Sequence, residues 1–392
     1  MSEPAGAGHP SPRAFLKVAG ASLAQHQLGL VLALDCQRVI CMARGTAPEI
    51  IALQHAAEDA GLQFAIVTSP RQLAGLVTAT DEVIVVSEGL FVEAANAVPL
   101  LEGRRPVVLV QPVEGALAAG YERIDINRAS AGIMRIPGQL VERLHELPGD
   151  CDIASALTRI ALQSGAEMRE VPATARTGAD WSMVRTESEA FALENDWLRA
   201  RFADGPTSPG RAAARFSVVH FGSSLLHAGN ASNALSAGVL GMLVIAAGLG
   251  WFGVAWGGFL FVALAWVLAE ASRRLRSAER HALGQLPPAI PRADVLVWLI
   301  DTALGILILA NTPRFPGQLM LSWLSVPAIL LMLLALVPRV VRGLAASWLG
   351  DRMVLAFVLA VAAAAGQLLP AVQVVSMALI VSGLLFHVRL RN

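Results

Sequence analysis

Two hydrophobic patterns divide this chain at about residue 233. Before that point, short apolar runs alternate with longer amphipathic segments, which is typical of strands and helices that share one core. After it, apolar stretches of 16 to 20 residues follow one another with short polar breaks. The pattern predicts an α/β domain over residues 1–200, a connecting region over 201–233 and an all-α membrane domain over 234–392.

The N-terminal pattern predicts strands and helices in alternation. Short apolar runs of this kind fit buried parallel strands, and the segments between them have helical periodicity. Alternating strands and helices imply an α/β fold with a doubly wound sheet. The predicted strands are Arg38–Met42, Gln63–Thr68, Glu82–Ser87 and Pro106–Val110, and the predicted helices between them are Pro48–Ala60 and Phe91–Leu101.

The connecting region has its own signals. A helix is predicted over Glu187–Arg201, and the cluster Asp204–Gly210, rich in Gly and Pro, breaks it. The stretch Ala212–His227 then has the character of an amphipathic helix that lies along a membrane surface. The sequence therefore predicts a juxtamembrane helix between the two domains.

Six stretches after Asn233 are candidates for membrane helices, because a hydrocarbon core about 30 Å thick needs about 20 apolar residues in a helix. The first, third and fifth are short and need flanking residues to span. The six are Ala234–Leu249, Val254–Ala271, Val295–Ala310, Gln318–Val337, Met353–Leu369 and Ala371–Val388.

Arginines in the connecting loops alternate with the six stretches. The loops after the second, fourth and sixth stretches carry ten arginines, whereas the opposite loops carry only Arg314. Under the positive-inside rule, this places both termini on the cytoplasmic side of an inner, cytoplasmic membrane.

Composition adds to this picture. The chain is 55% hydrophobic and 15% charged, against about 45–50% and about 25% for soluble domains. These values exclude an ordinary soluble enzyme, a disordered chain and a nucleic-acid binder with a basic surface. The zero net charge is a sum of two parts, because eleven arginines and five acidic residues follow Ala231. The membrane half is therefore basic and the soluble half acidic.

Two carboxylates lie in or at the end of predicted membrane helices. Asp301 falls inside the third stretch, and Glu270 ends the second. A carboxylate in a membrane helix is costly and is a functional candidate by default. Two structural alternatives stay open, namely that Glu270 pairs with a nearby arginine and that Asp301 is buried against a polar partner.

Three arginines, Arg273, Arg274 and Arg276, lie within six residues after Glu270. One interpretation is positive-inside anchoring of the helix. The other is a binding site for a diphosphate or an anionic lipid headgroup at the cytoplasmic interface.

Three passages of the soluble half resemble sugar-phosphate nucleotidyltransferases. Pro12-Arg-Ala-Phe-Leu-Lys-Val-Ala-Gly20 is similar to the segment that follows their phosphate loop. Ala131-Gly-Ile-Met-Arg135 resembles their substrate segment, and Trp181–Glu189 resembles their closing Trp-x-Asp-Val-Asp-Thr-Pro-Glu-Asp. The resemblance implies a GT-A-like fold and a nucleotide site.

The resemblance assigns phosphate-binding or nucleotide-binding roles to several residues. Glu88 stands for a metal-binding aspartate, and Arg13 replaces a phosphate-binding lysine. Arg185 stands where a second metal-binding aspartate is expected, and an arginine does not ligate Mg²⁺. The first strand of the family is not found, and the glycine loop is short. The remaining candidates are Gly6, Gly8 and Gly132.

The membrane half resembles CDP-alcohol phosphotransferases. Asp204-Gly-Pro-Thr-Ser208 and Asn230-Ala-Ser-Asn-Ala-Leu-Ser236 are similar to the segment that precedes their six helices. That family uses four aspartates to hold Mg²⁺ on a diphosphate, with the last as base. By resemblance, Asp301 is the base and Glu270 a metal or substrate ligand, while Glu88, Glu270 and Asp301 are the possible metal ligands.

The whole chain is similar to fusions of an inositol-phosphate cytidylyltransferase with a CDP-inositol-using phosphotransferase. This implies phospholipid or polyol-phosphate synthesis, a CDP-alcohol or phospholipid headgroup as ligand, membrane lipids around the helices, and a homodimer. Because most metal-binding aspartates are absent, we favour a degenerate relative that binds without turnover and serves as a regulatory partner. An active, Mg²⁺-dependent transferase is the alternative, and a small transporter is a third.

Overall fold

The computed structural model describes residues 1–389 except 2, 6–10, 44, 46, 104, 149–150, 204–207, 228–230, 283–291, 314–318 and 342–343. The chain forms two units. The first, called the α/β unit, is Met1–Arg201 with Glu279–Leu286. The second, called the helical unit, is Phe202–Ala278 with Pro287–Asn392.

The described residues of the α/β unit form ten strands and seven α-helices. The strands are β1 Lys17–Val18, β2 Ala21–Ser22, β3 Arg38–Met42, β4 Gln63–Val67, β5 Glu82–Val86, β6 Leu90–Val92, β7 Val107–Pro112, β8 Arg128–Pro137, β9 Glu167–Glu170 and β10 Trp181–Met183. The helices are α1 Leu23–Ala33, α2 Pro48–Asp59, α3 Pro70–Leu76, α4 Ala94–Leu101, α5 Ile153–Gln163, α6 Ala173–Thr177 and α7 Glu187–Ala203. All four predicted strands are confirmed within two residues.

The largest sheet has four strands in the order β5-β8-β7-β9. The central strand β8 runs antiparallel to both neighbours, with Ile84 opposite Arg135 and Val108 opposite Met134. Strand β9 is parallel to β7. Separately, β3 pairs with β4 in parallel, and short antiparallel pairs join β1 to β2 and β6 to β10. The sheet is therefore mixed, whereas parallel strands were predicted, and its central strand β8 was not predicted from the sequence.

Both faces of the four-stranded sheet are covered. Leu109 and Ile133 contribute to one apolar cluster, while their neighbours Val108 and Met134 contribute to another. Successive side chains of a strand point to opposite faces, so this division places one cluster on each face. Such two-sided burial explains why β7 is a continuous apolar run rather than an alternating one.

One predicted helix begins later than expected. The prediction started at Phe91, but Leu90, Phe91 and Val92 form β6, which pairs with β10, and α4 begins at Ala94. All three residues of β6 are buried. A helix would bury only one side of this run, whereas a strand between two layers buries each residue.

Eight α-helices are found in the described part of the helical unit. They are α8 Pro209–His227, α9 Ala231–Trp251, α10 Ala255–Ala282, α11 Arg292–Asn311, α12 Met320–Val340, α13 Leu344–Leu349, α14 Arg352–Ala364 and α15 Leu368–Arg389. Five of them contain segments long and apolar enough to cross a membrane, namely Asn233–Trp251, Ala255–Ser277, Asp294–Asn311, Met320–Val340 and Leu368–Leu385. These five fit a multi-pass membrane protein.

The fifth predicted stretch differs from the others. It forms α14, whose 13 residues are fewer than a straight span requires. The chain turns at Gly366, where φ is +69°, and α15 starts two residues later. Five predicted spans are thus found as long helices, and the stretch Met353–Leu369 is not continuous.

The backbones of helices α9 and α10 approach each other closely. A Cβ added at Gly258 of α10 would lie 2.9 Å from the carbonyl oxygen of Ala246 in α9 and 3.0 Å from Leu307. Small residues at such points let membrane helices approach closely. The core of the unit includes fully buried Phe259, Ile300 and Leu359.

Candidate functional site

Gly89 is the point at which distant segments of the α/β unit meet. Its φ is +82°, and an added Cβ would lie 2.6 Å from the Val184 carbonyl oxygen and 3.6 Å from the Cβ of Arg13. The Val184 N–H donates to the Gly89 carbonyl at 2.8 Å. Three passages that carry the nucleotidyltransferase resemblance, or adjoin it, therefore converge at the turn between β5 and β6.

Gly132 lies on the other side of this turn. Its carbonyl accepts a hydrogen bond of 2.8 Å from the N–H of Ser87, and its φ is +84°. It falls in a bulge of β8, where the register shifts between Val108 and Val110 of β7. Bulges often occur beside active sites, where they redirect the backbone. We call the set Arg13, Glu88, Gly89, Gly132 and Arg185 the Gly89 cluster.

One side chain, that of Gln27, holds this turn at both ends. Gln27 of α1 donates to the carbonyls of Ser87 and Leu90, at 2.9 Å each. Helix α1 is itself fixed by a capping box, in which Ser22 and Gln25 exchange hydrogen bonds. The position of Glu88 is therefore set by a capped helix as well as by the strands.

Glu88 faces the first residues of the chain. Its oxygens accept from the N–H groups of Ala14 at 3.4 Å and Glu3 at 3.3 Å, and Oε2 lies 3.2 Å from the Met1 amino group. Arg13 pairs with Glu3 and donates from Nε to the Pro4 carbonyl at 3.2 Å. The predicted loop residues Gly6 and Gly8 lie outside the described residues.

Arg185 packs against Gly120 and pairs with Glu189 near the start of α7. Its Nη2 lies 2.7 Å from Glu189 Oε1, and its backbone N–H donates to Oε2 at 2.7 Å. Burial alone would raise the pKa of the Glu189 carboxyl, but the side-chain and backbone hydrogen bonds from Arg185 outweigh it, so the pKa is lowered. The cation thus stands where the family resemblance predicted a metal ligand.

In the helical unit, Asp301 of α11 is bound by Arg352 of α14. The guanidinium donates from Nε to Oδ1 at 3.1 Å and from Nη2 to Oδ2 at 3.2 Å. The side chains are 18% and 11% exposed for Asp301 and Arg352. Of the two interpretations of Asp301, burial against a polar partner is the arrangement found.

Two further contacts hold Arg352. Its Nη1 donates to the Gly350 carbonyl at 2.8 Å, and its guanidinium carbon lies 5.4 Å from the centroid of the Trp266 ring. A guanidinium within about 6 Å of an aromatic face is attracted to it. Arg352 thereby connects α10, α11 and α14.

Asp351, one residue earlier, joins two helix starts and was not identified from the sequence. Its Oδ2 accepts from the Gly210 N–H of α8 at 2.7 Å, and its Oδ1 accepts from the Met353 N–H of α14 at 2.9 Å. The residue is 2% exposed. An aspartate directly before an apolar helix is an N-cap signal, which could have identified its role on α14 but not the contact with α8.

Glu270 is paired within its own helix. It is 5% exposed, Arg273 binds its Oε2, and Arg274 Nε lies 3.4 Å from its Oε1. Pairing with a nearby arginine, one of the two interpretations, is therefore found. Further along α10, Arg276 donates to the Ser236 hydroxyl of α9, which lies 3.3 Å from that of Ser272.

The described residues contain no group of three or more His, Cys, Asp or Glu side chains arranged to hold a metal ion. A pair of Mg²⁺ ions would need several hard oxygen ligands at one place. The oxygens of Asp301 and Glu270 are each in contact with guanidinium groups instead, so the donor set present does not fit a two-metal site.

Comparison with known proteins gives no family assignment. No protein-family model matches the chain. No curated protein matches it at a significant level.

Proposed function

We propose that this chain is a membrane protein that binds a phosphorylated ligand, either a CDP-alcohol or a phospholipid headgroup, without transferring it. It would serve as a binding or regulatory partner of an active membrane transferase in phospholipid or polyol-phosphate synthesis. One observation carries the proposal, namely that the two carboxylates expected to do the chemistry are both held by arginines.

A catalytic base needs a lone pair directed at the substrate hydroxyl, and a metal ligand needs one directed at the metal. Both oxygens of Asp301 accept hydrogen bonds from Arg352, and both oxygens of Glu270 face Arg273 or Arg274. Charge-assisted, bidentate contacts are among the strongest in proteins. Turnover would first require these pairs to separate.

The arginines of α10 supply the attraction for an anionic ligand. Arg273 is 41% exposed although it contacts Glu270, so its outer edge is accessible. Arg274 and Arg276 follow on the same helix, and Arg276 reaches Ser236 on α9. A row of guanidinium groups beside hydroxyl donors suits a phosphoryl group.

The Gly89 cluster supports a nucleotidyltransferase-like ancestry for the α/β unit, with a doubly wound, GT-A-like sheet. Arg13, Gly132 and Val184, the residue before Arg185, come from separate passages of the sequence and lie within van der Waals or hydrogen-bonding distance of one turn. In this proposal, Arg13, Glu88, Gly132 and Arg185 line a site for a nucleotide phosphate that is bound but not transferred.

The membrane topology is part of the same proposal. We propose six membrane segments in a cytoplasmic membrane, with both termini on the cytoplasmic side. The fifth segment is α14, and because its 13 residues are short for a span, it would cross where the bilayer is locally thinned. The supporting observation is the arginine asymmetry between alternate loops of the sequence. A homodimer follows from the family resemblance alone.

Calorimetric titration of the purified full chain in detergent tests the proposal. CTP, CDP-inositol and CDP-diacylglycerol are titrated with and without Mg²⁺, and CMP release is measured in parallel. We expect binding of at least one ligand that does not depend on Mg²⁺, without CMP release. CMP release that is lost in Asp301→Asn would establish the active transferase instead.

A matched pair of variants locates the binding site. Arg276→Gln should weaken binding, whereas Arg339→Gln, an exposed arginine at the end of α12, should not. Equal weakening by both variants would show that general membrane charge, and not a site on α10, attracts the ligand.

A further inference from the structure

The guanidinium of Arg352 presents two different edges. The edge formed by Nε and Nη2 makes the two parallel hydrogen bonds to Asp301. This is the fork geometry that matches carboxylates and phosphates equally well. The remaining nitrogen, Nη1, donates to the Gly350 carbonyl.

The anchors on Nη1 and on the guanidinium face do not involve Asp301. Gly350 lies two residues before Arg352, and Trp266 lies on α10. If Asp301 moved away, both contacts would still hold the guanidinium plane in place. The Nε and Nη2 edge would then be left without an acceptor and could receive the oxygens of a ligand.

The neighbouring carboxylate does not compete for that edge. Asp351 accepts N–H groups from Gly210 and Met353, one with each oxygen, and is 2% exposed. Its oxygens serve the starts of α8 and α14. Arg352 is also the first residue of α14, where the helix dipole adds positive potential.

From this geometry we propose that Arg352 is a binding residue for a phosphoryl oxyanion, and that Asp301 occupies its site as an internal competitor. The ligand offers two oxygens to Nε and Nη2 and displaces the Asp301 carboxylate, without any covalent bond being made or broken. The described residues hold no group of metal ligands around the displaced carboxylate, so its release does not create the two-metal site that transfer would require. The inference rests on the proposed function and names the residue that receives the phosphoryl group.

This arrangement predicts an unusual effect of removing a charge. Asp301→Asn keeps the size of the side chain but weakens its hold on Arg352. An anion should then bind more tightly, because a charge-assisted pair no longer has to be separated. If Asp301 were only a structural partner of Arg352, or a catalytic base, Asp301→Asn would not tighten the binding of an anion.

The experiment titrates the full chain in detergent with three probes: dihexanoyl phosphatidic acid, CDP-glycerol and inorganic phosphate. Asp301→Asn should bind the preferred probe at least about tenfold more tightly than the unmodified chain, and Arg352→Lys, which lacks the fork, at least about tenfold more weakly. Asp294→Asn is the matched control, since it removes an exposed carboxylate from the same helix and should change nothing.

The probes separate the possible sources of the phosphoryl group. Preference for dihexanoyl phosphatidic acid indicates a lipid, preference for CDP-glycerol a nucleotide-activated alcohol, and equal binding of all three a phosphate site. Asp301→Glu provides a second variant if Asp301→Asn does not fold, because the longer side chain misaligns the fork and should also tighten binding.

Unchanged or weaker binding in Asp301→Asn and Asp301→Glu overturns the inference. If the unmodified chain still binds a probe in an Arg276-dependent manner, the proposed function stands without it. If no probe binds any variant, both fail.

Discussion

Arg352, the first residue of α14, donates two hydrogen bonds to Asp301 in the middle of α11, and their lengths are 3.1 Å and 3.2 Å. The pair lies largely out of solvent. A buried charge without its partner is far less stable than the pair or an apolar replacement of both residues. The contribution of each residue to the free energy of unfolding therefore depends strongly on the presence of the other.

A double-mutant cycle should show this dependence. Arg352→Leu and Asp301→Leu should each destabilise the protein by about 3–5 kcal/mol, and the double variant by much less than their sum. Chemical unfolding in one detergent gives the four free energies. Arg339→Leu is the exposed control and should stay within about 0.5 kcal/mol. Additive effects would mean that the pair contributes no coupling.

Gly210 should not tolerate a side chain. A Cβ there would lie 2.4 Å from Asp351 Oδ1 and 2.9 Å from the Cβ of Met353. Gly210→Ala should therefore separate α8 from α14 and lower the thermal midpoint of the helical unit. Gly241→Ala in α9 is the control, since an added Cβ meets nothing within 4 Å. It should be neutral or slightly stabilising, because alanine favours helix.

Gly89 should not tolerate a side chain either, because both its backbone conformation and its surroundings oppose one. Alanine at a φ of +82° is strained, and its Cβ would lie 2.6 Å from the Val184 carbonyl oxygen. Gly89→Ala should cost about 1–3 kcal/mol and abolish any CTP binding by the α/β unit. Gly75→Ala in α3, where nothing lies within 4 Å, should keep both stability and binding. CTP binding retained in Gly89→Ala would exclude the Gly89 cluster as the nucleotide site.

Buried His26 should make the α/β unit sensitive to acid. Burial lowers the pKa of His26 to about 4, although a hydrogen bond to the Val18 carbonyl partly opposes the shift. The unfolded chain takes up a proton near pH 6.5 and the folded chain only near 4, so stability falls as the pH drops through this window. The loss reaches about 3 kcal/mol below pH 4.

Hydrogen exchange of the full chain measures this loss. After correction for intrinsic rates, peptides covering α1 should exchange faster at pH 5 than at pH 7. His26→Gln keeps a hydrogen-bond donor without a titrating ring and should flatten the pH dependence. An equal pH dependence in His26→Gln would assign the effect to other groups.

Candidate-site residues differed in how far the sequence could identify them. Asp301 and Glu270 were found because carboxylates are conspicuous in apolar stretches, but their partners were not. Arg352 was counted among the arginines of a cytoplasmic loop, yet its side chain is 11% exposed and bound to Asp301. Loop arginines and core arginines look alike in a sequence, since only packing brings residues 51 positions apart into contact.

The α/β unit shows the same limit in its sheet. Predicted strands such as Gln63–Thr68, which is found as Gln63–Val67, are runs of apolar residues that the local pattern reveals. Strand β8 was missed because Arg128–Pro137 contains Gly132, two arginines and few consecutive apolar residues. Its place in the centre of the sheet depends on hydrogen bonds to β5 and β7, which no local pattern encodes.

The sequence by itself determined the division into an α/β region and an apolar helical region, and the ranges of most elements. Periodicity decides these features, because it reflects which side of each element can leave water. Only the tertiary structure decided that the fifth stretch is interrupted at Gly366, that the Gly89 cluster converges, and that Asp301 and Glu270 each face arginine. Those features depend on distances between residues far apart in the chain, which folding alone sets.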